Sequence, residues 1–254
     1  MRFACLGSGS EGNGLVVEVG HTRLLLDCGF GIADTVQRLA RLGLTPEQLS
    51  AVVVTHEHGD HINGVARLSR RHNIPVWLSF GTLQWLAEEL ESQLLNPIDT
   101  HAEFSIGDVR VRPFPVPHDA REPVQFVFSD GARSLGVLTD LGCSTPHVET
   151  CLSGVDALVL ECNHDRDMLL RGPYPPGLKQ RVGGRYGHLD NEAAAALLAR
   201  IERRRLQHVI AAHLSQQNNT RELARRALAR VLGCDEQWVG IADQDAGFGW
   251  REIT

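Results

Sequence analysis

The sequence predicts an α/β fold in which two β-sheets pack together and helices cover their outer faces. Short strand-like runs separated by Gly-rich turns open the chain and recur in its middle, as in antiparallel meanders. Apolar strand-like runs alternate with helical patterns in both halves, which is typical of strands buried between helices and a second sheet. No polar, low-complexity linker interrupts the chain, so we expect residues 1–254 to form one domain.

The first half of the chain alternates strands with helices. Its predicted strands are residues 2–6, 15–19, 23–26, 51–54 and 76–79, and its predicted helices are residues 32–42, 62–71 and 82–91. Residues 32–42 carry apolar side chains at helical spacing. Thr45, Pro46 and Gln48 then form a capping pattern that begins a helical turn. Residues 51–54 are apolar without interruption, which indicates a strand buried on both faces.

The second half repeats this alternation after a β-rich middle. The predicted strands are residues 109–112, 124–128, 134–138, 156–160 and 207–211, and the predicted helices are residues 191–204 and 220–232. Asp190 is the expected cap of the first helix, and Asn219, with Glu222 three residues later, is the expected cap of the second. The Gly- and Pro-rich segment 172–187 is expected to be a loop.

Charge and cysteine content narrow the functional class. The formal net charge is −6 at pH 7 and Lys179 is the only lysine, so a generally cationic surface for polyanions is disfavoured. Residues 166–185 nevertheless hold five cations and one anion, Asp167, which leaves room for a local anion site. The six cysteines form no C-x-x-C pair, and no apolar run approaches the roughly 20 residues of a membrane span. We therefore expect a cytoplasmic protein without a membrane segment.

The motif H-x-H-x-D-H directly follows the apolar strand 51–54. His56 and His58 lie two residues apart, so in an extended backbone both imidazoles leave on one side and can bind one ion. If the chain turns after His58, Asp60 and His61 point beside that ion and suit a second one. The spacing therefore predicts a site for two metal ions.

Three further candidate ligands are His118, Asp140 and His213, each of which follows a strand-like stretch. Side chains at the ends of different strands can converge, and the Asp140 carboxylate could bridge two cations. Taken singly, each of the three residues is equally well explained by a structural role.

Taken together, these residues resemble the metallo-β-lactamase superfamily. The resemblance rests on H-x-H-x-D-H after an apolar strand, on Leu-Leu-Leu-Asp-Cys-Gly before it, and on the later His, Asp and His. Other motifs are similar to the WalJ/YycJ-like branch: Gly-Ser-Gly-Ser-Glu-Gly-Asn at 7–13, Glu-Cys-Asn-His-Asp at 161–165, Tyr-Pro at 174–175, Gly-His at 187–188 and His-Leu-Ser at 213–215. The likeness covers nearly the whole chain and implies a four-layer αββα sandwich.

The resemblance also implies how the ligands divide between the two ions. One ion would bind His56, His58 and His118, the other would bind Asp60, His61 and His213, and Asp140 would bridge them. Asp27 matches a position that braces the metal loop. Imidazole and carboxylate ligands without thiolate suit two zinc or two manganese ions, and the sequence leaves that choice open.

Asp60, Glu161 and His188 form the expected catalytic set. Glu161 and His188 are similar to a pair in phosphodiesterase members of the superfamily, such as tRNase Z, in which a carboxylate orients a protonated imidazole beside the leaving oxygen. Such a proton donor matters because an alkoxide is a poor leaving group. The structural alternative is a solvent-facing Glu and a His beside a helix cap.

Asn163, His164, Lys179 and Arg181 are the candidate substrate-binding residues. His164 lies close in sequence to Glu161 and either reaches substrate or packs. Lys179 and Arg181 carry the charges that suit phosphate oxygens, although charged residues in a loop are often simply solvated.

These expectations describe a dinuclear metal-dependent hydrolase that cleaves phosphodiester bonds in nucleic acid. The branch resemblance implies a DNA exonuclease that acts from the five-prime end. The alternative is a hydrolase of a small-molecule thioester, lactam or cyclic phosphodiester, which the acidic net charge favours, whereas Glu161, His188 and the basic segment favour nucleic acid. A non-catalytic binding module is disfavoured because none of the seven candidate ligands is missing.

Overall fold

Two seven-stranded mixed sheets face each other across the centre of the molecule. The computed structural model describes residues 1–254. The first sheet contains β1 (Arg2–Gly7), β2 (Gly14–Val19), β3 (Thr22–Leu26), β4 (Ala51–Val53), β5 (Val76–Leu78), β6 (Leu95–Pro97) and β14 (Phe248–Glu252). The second contains β7 (Phe104–Ile106), β8 (Val109–Pro115), β9 (Val124–Ser129), β10 (Ser134–Leu138), β11 (Ala157–Glu161), β12 (His208–Ala212) and β13 (Gly240–Ile241).

Each sheet joins an antiparallel half to a parallel half. The strand order is β14-β1-β2-β3-β4-β5-β6 in the first sheet and β13-β12-β11-β10-β9-β8-β7 in the second. Strands β3 to β6 run parallel, as do β10 to β13, and the meander strands are antiparallel. The carboxyl ends of β3 and β4 and those of β10, β11 and β12 lie at one edge of the sandwich, where open α/β sheets usually bind ligands.

Nine α-helices flank the sheets. They are α1 (Ile32–Arg41), α2 (Gly59–Ile62), α3 (Val65–His72), α4 (Phe80–Leu86), α5 (Pro146–Leu152), α6 (Arg166–Arg171), α7 (Pro176–Val182), α8 (Asn191–Arg200) and α9 (Arg221–Leu232). None of these helices is long and apolar enough to cross a bilayer.

Three apolar clusters fill the layers. One lies between the sheets and joins residues of both, such as Phe3 and Phe126. Another lies outside the first sheet and includes Leu39 and Leu68, and the third lies outside the second sheet and includes Leu197. This order of helices, sheet, sheet and helices confirms the predicted α/β class and the four-layer sandwich.

Several predicted boundaries differ from those of the structure. The expected helix 62–71 begins later, as α3 at Val65, because Ile62 ends the separate helix α2, and at the intervening Gly64 a Cβ would collide with the Phe30 carbonyl. The expected helices 82–91 and 191–204 end earlier, at Leu86 and Arg200. Thr220, rather than Asn219, caps α9, because its hydroxyl accepts the Leu223 N–H.

The segment 172–187 is not wholly a loop, because residues 176–182 form α7. Pro176 occupies the first turn of this helix, where its missing N–H has no intrahelical partner to lose and its fixed φ suits the helix. The sequence signals also missed α5, α6, β6, β7, β13 and β14, most of which are short.

Candidate metal centre

The candidate ligands meet at the sandwich edge because each lies in a loop or short helix that follows the carboxyl end of a strand. His56 and His58 follow β4, Asp140 follows β10, and His213 follows β12. His118 follows β8, whose carboxyl end lies at the same edge because β8 and β10 are both antiparallel to β9. Parallel strands therefore bring together residues as far apart in sequence as His56 and His213, as the sequence analysis expected of the strand ends.

Three of these strand ends have left-handed backbone conformations. The φ angles are 59° at Asp27, 54° at Asp140 and 55° at His213, and the only other non-glycine residue with positive φ is Asn73, at the end of α3. Such conformations are unfavourable for residues with a Cβ and persist where surrounding contacts impose them. Their concentration at this edge marks it as a functional region of the fold.

One cluster consists of His56, His58 and His118, with one nitrogen of each within 4.8 Å of the others. His118 Nδ1 donates to the Gly187 carbonyl at 3.0 Å, so its Nε2 faces His58 Nδ1 at 3.2 Å. Burial, together with the neighbouring His188 and despite the attraction of Asp140, lowers the pKa of His118 and favours the neutral ring. A neutral imidazole is the form that binds metal ions.

The tautomer of His56 follows from its neighbours. Thr55 Oγ1 donates its single hydrogen to Asp27 Oδ2 at 2.9 Å, and His56 Nδ1 lies 2.9 Å from the same hydroxyl. His56 Nδ1 must therefore be the donor, which leaves a lone pair on Nε2. Burial and the nearby ring of His61 hold the pKa of His56 well below its usual value, which agrees with a neutral ring.

The second cluster consists of Asp60, His61 and His213. Asp60 Oδ2 lies 3.3 Å from His61 Nε2 and 3.2 Å from His213 Nε2. His61 Nδ1 donates to Asp27 Oδ2 at 2.8 Å, an arrangement that fixes the ring and directs Nε2 to the cluster. Asp27 also accepts the Thr55 N–H, so it braces the metal loop at two points, as the family resemblance implies.

Asp140 lies between the two clusters. Its Oδ2 is 2.9 Å from His61 Nε2, and its Oδ1 is 3.7 Å from His213 Nε2 and 3.9 Å from His118 Nε2. Burial disfavours the charged carboxylate, but His213 and His61 outweigh burial and hold the pKa of Asp140 well below its usual value. The same attraction outweighs burial at His213 and raises its pKa to about 9. This buried carboxylate therefore requires positive charge on both sides.

The donor atoms of these clusters fit two divalent metal ions. His56 Nε2 is buried and has no hydrogen-bond partner, although an unsatisfied buried polar atom costs about 1–3 kcal/mol. His118 Nε2 and His58 Nδ1 are separated by 3.2 Å, close to the roughly 3.4 Å between two ligands of a tetrahedral zinc ion. The donors are nitrogen and oxygen without sulfur, which agrees with zinc or manganese.

Glu161 and His188 form a pair directly beside the clusters. Glu161 Oε1 accepts His188 Nδ1–H at 2.9 Å, and its Oε2 accepts the N–H groups of Leu141 and Leu189 at 2.9 and 3.0 Å. Burial disfavours a charged imidazole, but Glu161 and Asp140 outweigh it and raise the pKa of His188 to about 10. With Nδ1 bound to Glu161, Nε2 is the nitrogen of His188 available to the cleft. The pair also lies within 4.8 Å of Asp140 and His213, in a group that could itself hold an ion.

The predicted substrate-binding residues are not all at the cleft. Asn163 is buried, and its amide Nδ2 donates to the His213 carbonyl at 3.0 Å. His164 is buried too, with Nδ1 3.3 Å from Asn163 Oδ1. Lys179 Nζ donates to the Leu170 carbonyl at 2.7 Å, which ties α7 to the end of α6. Of the four residues, only Arg181 lines the cleft.

Sequence reasoning missed residues that hold the ligands in place. Asn13 Nδ2 lies 3.2 Å from Asp60 Oδ2, and Ser8 Oγ accepts the His213 N–H at 3.0 Å. Asp119 Oδ2 accepts Arg181 Nε–H at 2.6 Å, and the other oxygen is 3.5 Å from His118 Nε2. The signal for Ser8 and Asn13 was the Gly-rich segment 7–13, and the signal for Asp119 was its position directly after His118.

An open cleft of about 420 Å³ lies over the clusters, within the usual size of a ligand pocket. Its lining residues are Ser10, His58, Gly59, Asp60, Asp119, Asp140, Tyr174, Leu178, Arg181, Val182, Gly187, His188 and His213. One wall therefore consists of candidate metal ligands and His188, and another comes from α7 and the residues before it.

Comparison with known proteins agrees with this architecture. The family described as Beta-lactamase superfamily domain matches residues 22–213. The Exodeoxyribonuclease YycJ of Bacillus anthracis is 36% identical over 251 residues, which cover 96% of this chain and 92% of that protein. The Exodeoxyribonuclease WalJ of Streptococcus pneumoniae serotype 2 (strain D39 / NCTC 7466) is 32% identical over 248 residues, which cover 94% of this chain and 91% of that protein.

Among solved structures, the metallo-beta-lactamase fold protein YhfI from Bacillus subtilis has a similar fold. The TM-score is 0.77 at 17% sequence identity, and the match covers 98% of both chains. At that identity, the match concerns the fold alone.

Proposed function

The chain belongs to the beta-lactamase superfamily, and from this premise we propose that it is a DNA exonuclease that uses two divalent metal ions and acts from the five-prime end. Membership confirms the resemblance read from the sequence. The chain is a metal-dependent hydrolase, and the two relatives named as exodeoxyribonucleases support a nuclease that cleaves phosphodiester bonds. Their names favour DNA as the substrate, and the five-prime direction follows from the branch resemblance.

The Glu161–His188 pair is the observation that carries the proposal. Hydrolysis of a phosphodiester expels an alkoxide, which requires a proton, whereas hydrolysis of a thioester expels a thiolate, which departs readily without one. The buried Glu161 carboxylate holds His188 Nδ1 at 2.9 Å and favours the charged imidazole, and His188 lines the cleft beside the metal clusters. This geometry suits a general acid that protonates the leaving oxygen.

The residues divide the work in this scheme. Two divalent ions, when bound, supply Lewis-acid activation of water and of the phosphoryl oxygens. The six ligands of the two clusters, together with Asp140 between them, would hold zinc or manganese. The carboxylate of Asp60, one of the six, also lines the cleft. Glu161 orients His188, and His188 Nε2–H donates its proton to the departing oxygen.

Arg181 is the residue we propose for contact with a further phosphate of the strand. Its side chain is 60% exposed and lines the cleft, and its Nε–H donates to Asp119, which leaves the terminal amino groups for a phosphate oxygen. Asn163 and Lys179 support the site through His213 and Leu170 in this proposal, and His164 packs behind Asn163. Six free cysteines suit the reducing cytoplasm, which we propose as the compartment.

The proposal is tested with protein loaded with zinc or manganese and with DNA labelled at the five-prime or the three-prime end. We expect the five-prime label to be released first as short products, and we expect His56→Ala protein prepared in parallel to be inactive, which excludes a contaminating nuclease. RNA of the same sequence, a thioester and a lactam complete the substrate set. Hydrolysis of the thioester or lactam without cleavage of DNA would overturn the proposal.

A further inference from the structure

We propose that Tyr174, Leu178 and Val182 form an apolar wall that binds the nucleobase of the substrate nucleotide nearest the metal centre. This inference rests on the proposed function and names the part of a nucleic acid, besides phosphate, that the cleft contacts. All three residues line the cleft together with the candidate metal ligands.

These three side chains are half-buried and line the cleft, and they lie outside the apolar clusters that fill the layers of the molecule. The helix α7 contributes no buried residue, which is unusual for a helix that carries Leu178 and Val182 four residues apart on one face. None of the three residues belongs to an apolar cluster of the molecule or packs against one. Leu178 and Val182 therefore present apolar surface to the cleft.

The wall is held at a fixed position relative to His188. The Val182 carbonyl accepts the His188 N–H at 2.8 Å, Arg181 Nε–H donates to Asp119 at 2.6 Å, and Lys179 Nζ donates to the Leu170 carbonyl at 2.7 Å. A base bound on the wall would therefore be placed at a constant distance from the proposed proton donor. Such preorganisation is what a positioning surface requires.

The two walls of the cleft suit the two ends of a nucleotide. One wall carries His58, Asp60, Asp140, His188 and His213, which suit metal ions and a phosphate. The other carries an aromatic ring and two aliphatic side chains, which suit the flat apolar face of a base. Leu178 and Val182 have no polar side-chain atoms, and the Tyr174 hydroxyl makes no hydrogen bond within the protein. Recognition by stacking and packing would accept every base, as an exonuclease needs.

The test is calorimetric titration of the metal-loaded protein with deoxyadenosine 5′-monophosphate and with 2-deoxyribose 5-phosphate, which lacks the base. We expect the nucleotide to bind at least about fivefold more tightly, the lower range for stacking of one base on an aromatic side chain. The double variant Tyr174→Ala/Leu178→Ala should bind the two compounds equally. Tyr174→Phe, which keeps the ring, should retain the preference.

The chain supplies matched controls. Tyr186 is the only other tyrosine, and Leu170 is a leucine on the neighbouring α6; both are more than 60% exposed and neither lines the cleft. The double variant Tyr186→Ala/Leu170→Ala should keep the preference for the nucleotide. Equal binding of the two compounds by the unaltered protein would overturn the proposal without any variant, and so would loss of the preference in the control alone.

The outcomes also separate this inference from the proposed function. Cleavage of DNA by a protein that binds nucleotide and sugar phosphate equally would overturn the base-binding wall and support the nuclease function. A preference for the nucleotide that depends on Tyr174 and Leu178, in a protein that cleaves no DNA, would support the wall and overturn the nuclease.

Discussion

Glu161 divides its two carboxylate oxygens between His188 and the backbone. Oε1 accepts His188 Nδ1–H at 2.9 Å, whereas Oε2 accepts the N–H groups of Leu141, which follows Asp140, and Leu189, which follows His188. The carboxylate is thus bonded to the loop of a candidate metal ligand and to the loop of the proposed proton donor. One buried side chain couples the positions of the two groups.

The first prediction concerns the leaving group. His188→Ala should keep the metal content and slow cleavage of DNA by about 10²–10⁴-fold, because a basic alkoxide departs poorly without a positioned acid. Cleavage of bis-p-nitrophenyl phosphate should fall far less, since nitrophenolate departs without a proton. Rates on both substrates, with metal analysis of each protein, measure the effect.

His101→Ala is the control for this prediction, since His101 is exposed and away from the cleft. Equal slowing on both substrates would contradict the general-acid role. Loss of metal from His188→Ala would instead make His188 a ligand, as the group of Asp140, Glu161, His188 and His213 allows geometrically.

The second prediction concerns Asp140. The purified protein should hold close to two equivalents of zinc or manganese, and Asp140→Asn should lose most of both, because one carboxylate serves the two ions. Asparagine is preferred to alanine because it tolerates the φ of 54° at this position. Metal content by mass spectrometry is the measurement, with exposed Asp167→Asn as control. Two full equivalents in Asp140→Asn would contradict a bridging role.

The residues that could be predicted from sequence differ from the others in how local their signal is. The pattern H-x-H-x-D-H is complete within six residues, so it can be recognised without any tertiary information. Apolar runs predict the strands that precede His56 and Asp140. The sequence also places His118 and His213 after strands, but their convergence depends on how the two sheets stack, and local spacing carries no information about that packing.

Helix α7 and the residues around Asn163 show where sequence reasoning fails. Gly and Pro in segment 172–187 indicate a loop, and the apolar spacing of α7 is limited to Leu178 and Val182, too few residues for periodicity to predict a helix. The helix is instead held by Lys179 and Arg181, whose partners, the Leu170 carbonyl and Asp119, are tertiary contacts. Asn163 follows a strand end, beyond which alternation no longer predicts the direction of a side chain.

The third prediction concerns Asp27, which accepts hydrogen bonds from Thr55 and His61. Asp27→Asn should weaken metal affinity by about 10–100-fold, as is usual when a partner that orients a ligand is removed. The fold should be retained, because asparagine tolerates positive φ and still accepts the Thr55 N–H. Competition with a chelator measures the affinity, and circular dichroism checks the fold. An unchanged affinity would show that His61 is oriented by other contacts.

The fourth prediction concerns stability and pH. Glu18 lies between Arg2 and Arg23 of the flanking strands. Its Oε1 is 2.6 Å from Arg2 Nε, and its Oε2 is 2.6 Å from Arg23 Nε. Burial alone would raise the pKa of Glu18, but the two arginines outweigh it and hold the pKa below its usual value. Glu18→Gln should therefore lower the free energy of unfolding at pH 7 by about 1 kcal/mol, or about 2–4 °C in Tm.

The sign of the pH dependence follows from the lowered pKa. The contribution of Glu18 is fully present above the pKa of the unfolded chain, about 4.3, and is lost as pH falls through the lower pKa of the folded protein. The difference in Tm between the protein and Glu18→Gln should be constant from pH 8 to about 5 and shrink below pH 4. Exposed Glu88, which has no ion pair, provides the control Glu88→Gln. A difference that grows as pH falls would contradict this assignment.

The last prediction separates the two basic residues of α7. Both are expected from sequence to bind phosphate, but only Arg181 lines the cleft, whereas Lys179 Nζ is engaged by the Leu170 carbonyl. Arg181→Ala should weaken binding of DNA and make its dependence on salt shallower by roughly 0.7–0.9 in the logarithmic slope, the value for one lost phosphate contact. Lys179→Ala should leave that slope unchanged and lower Tm slightly, because it removes a tie between α6 and α7. Binding isotherms for DNA at several salt concentrations measure the slope, and the two variants serve as controls for each other because each removes one positive charge from the same helix. Equal slopes for the two variants would contradict a specific contact between Arg181 and phosphate. The pairing of Arg181 with Asp119 would then serve only to hold α7 in place.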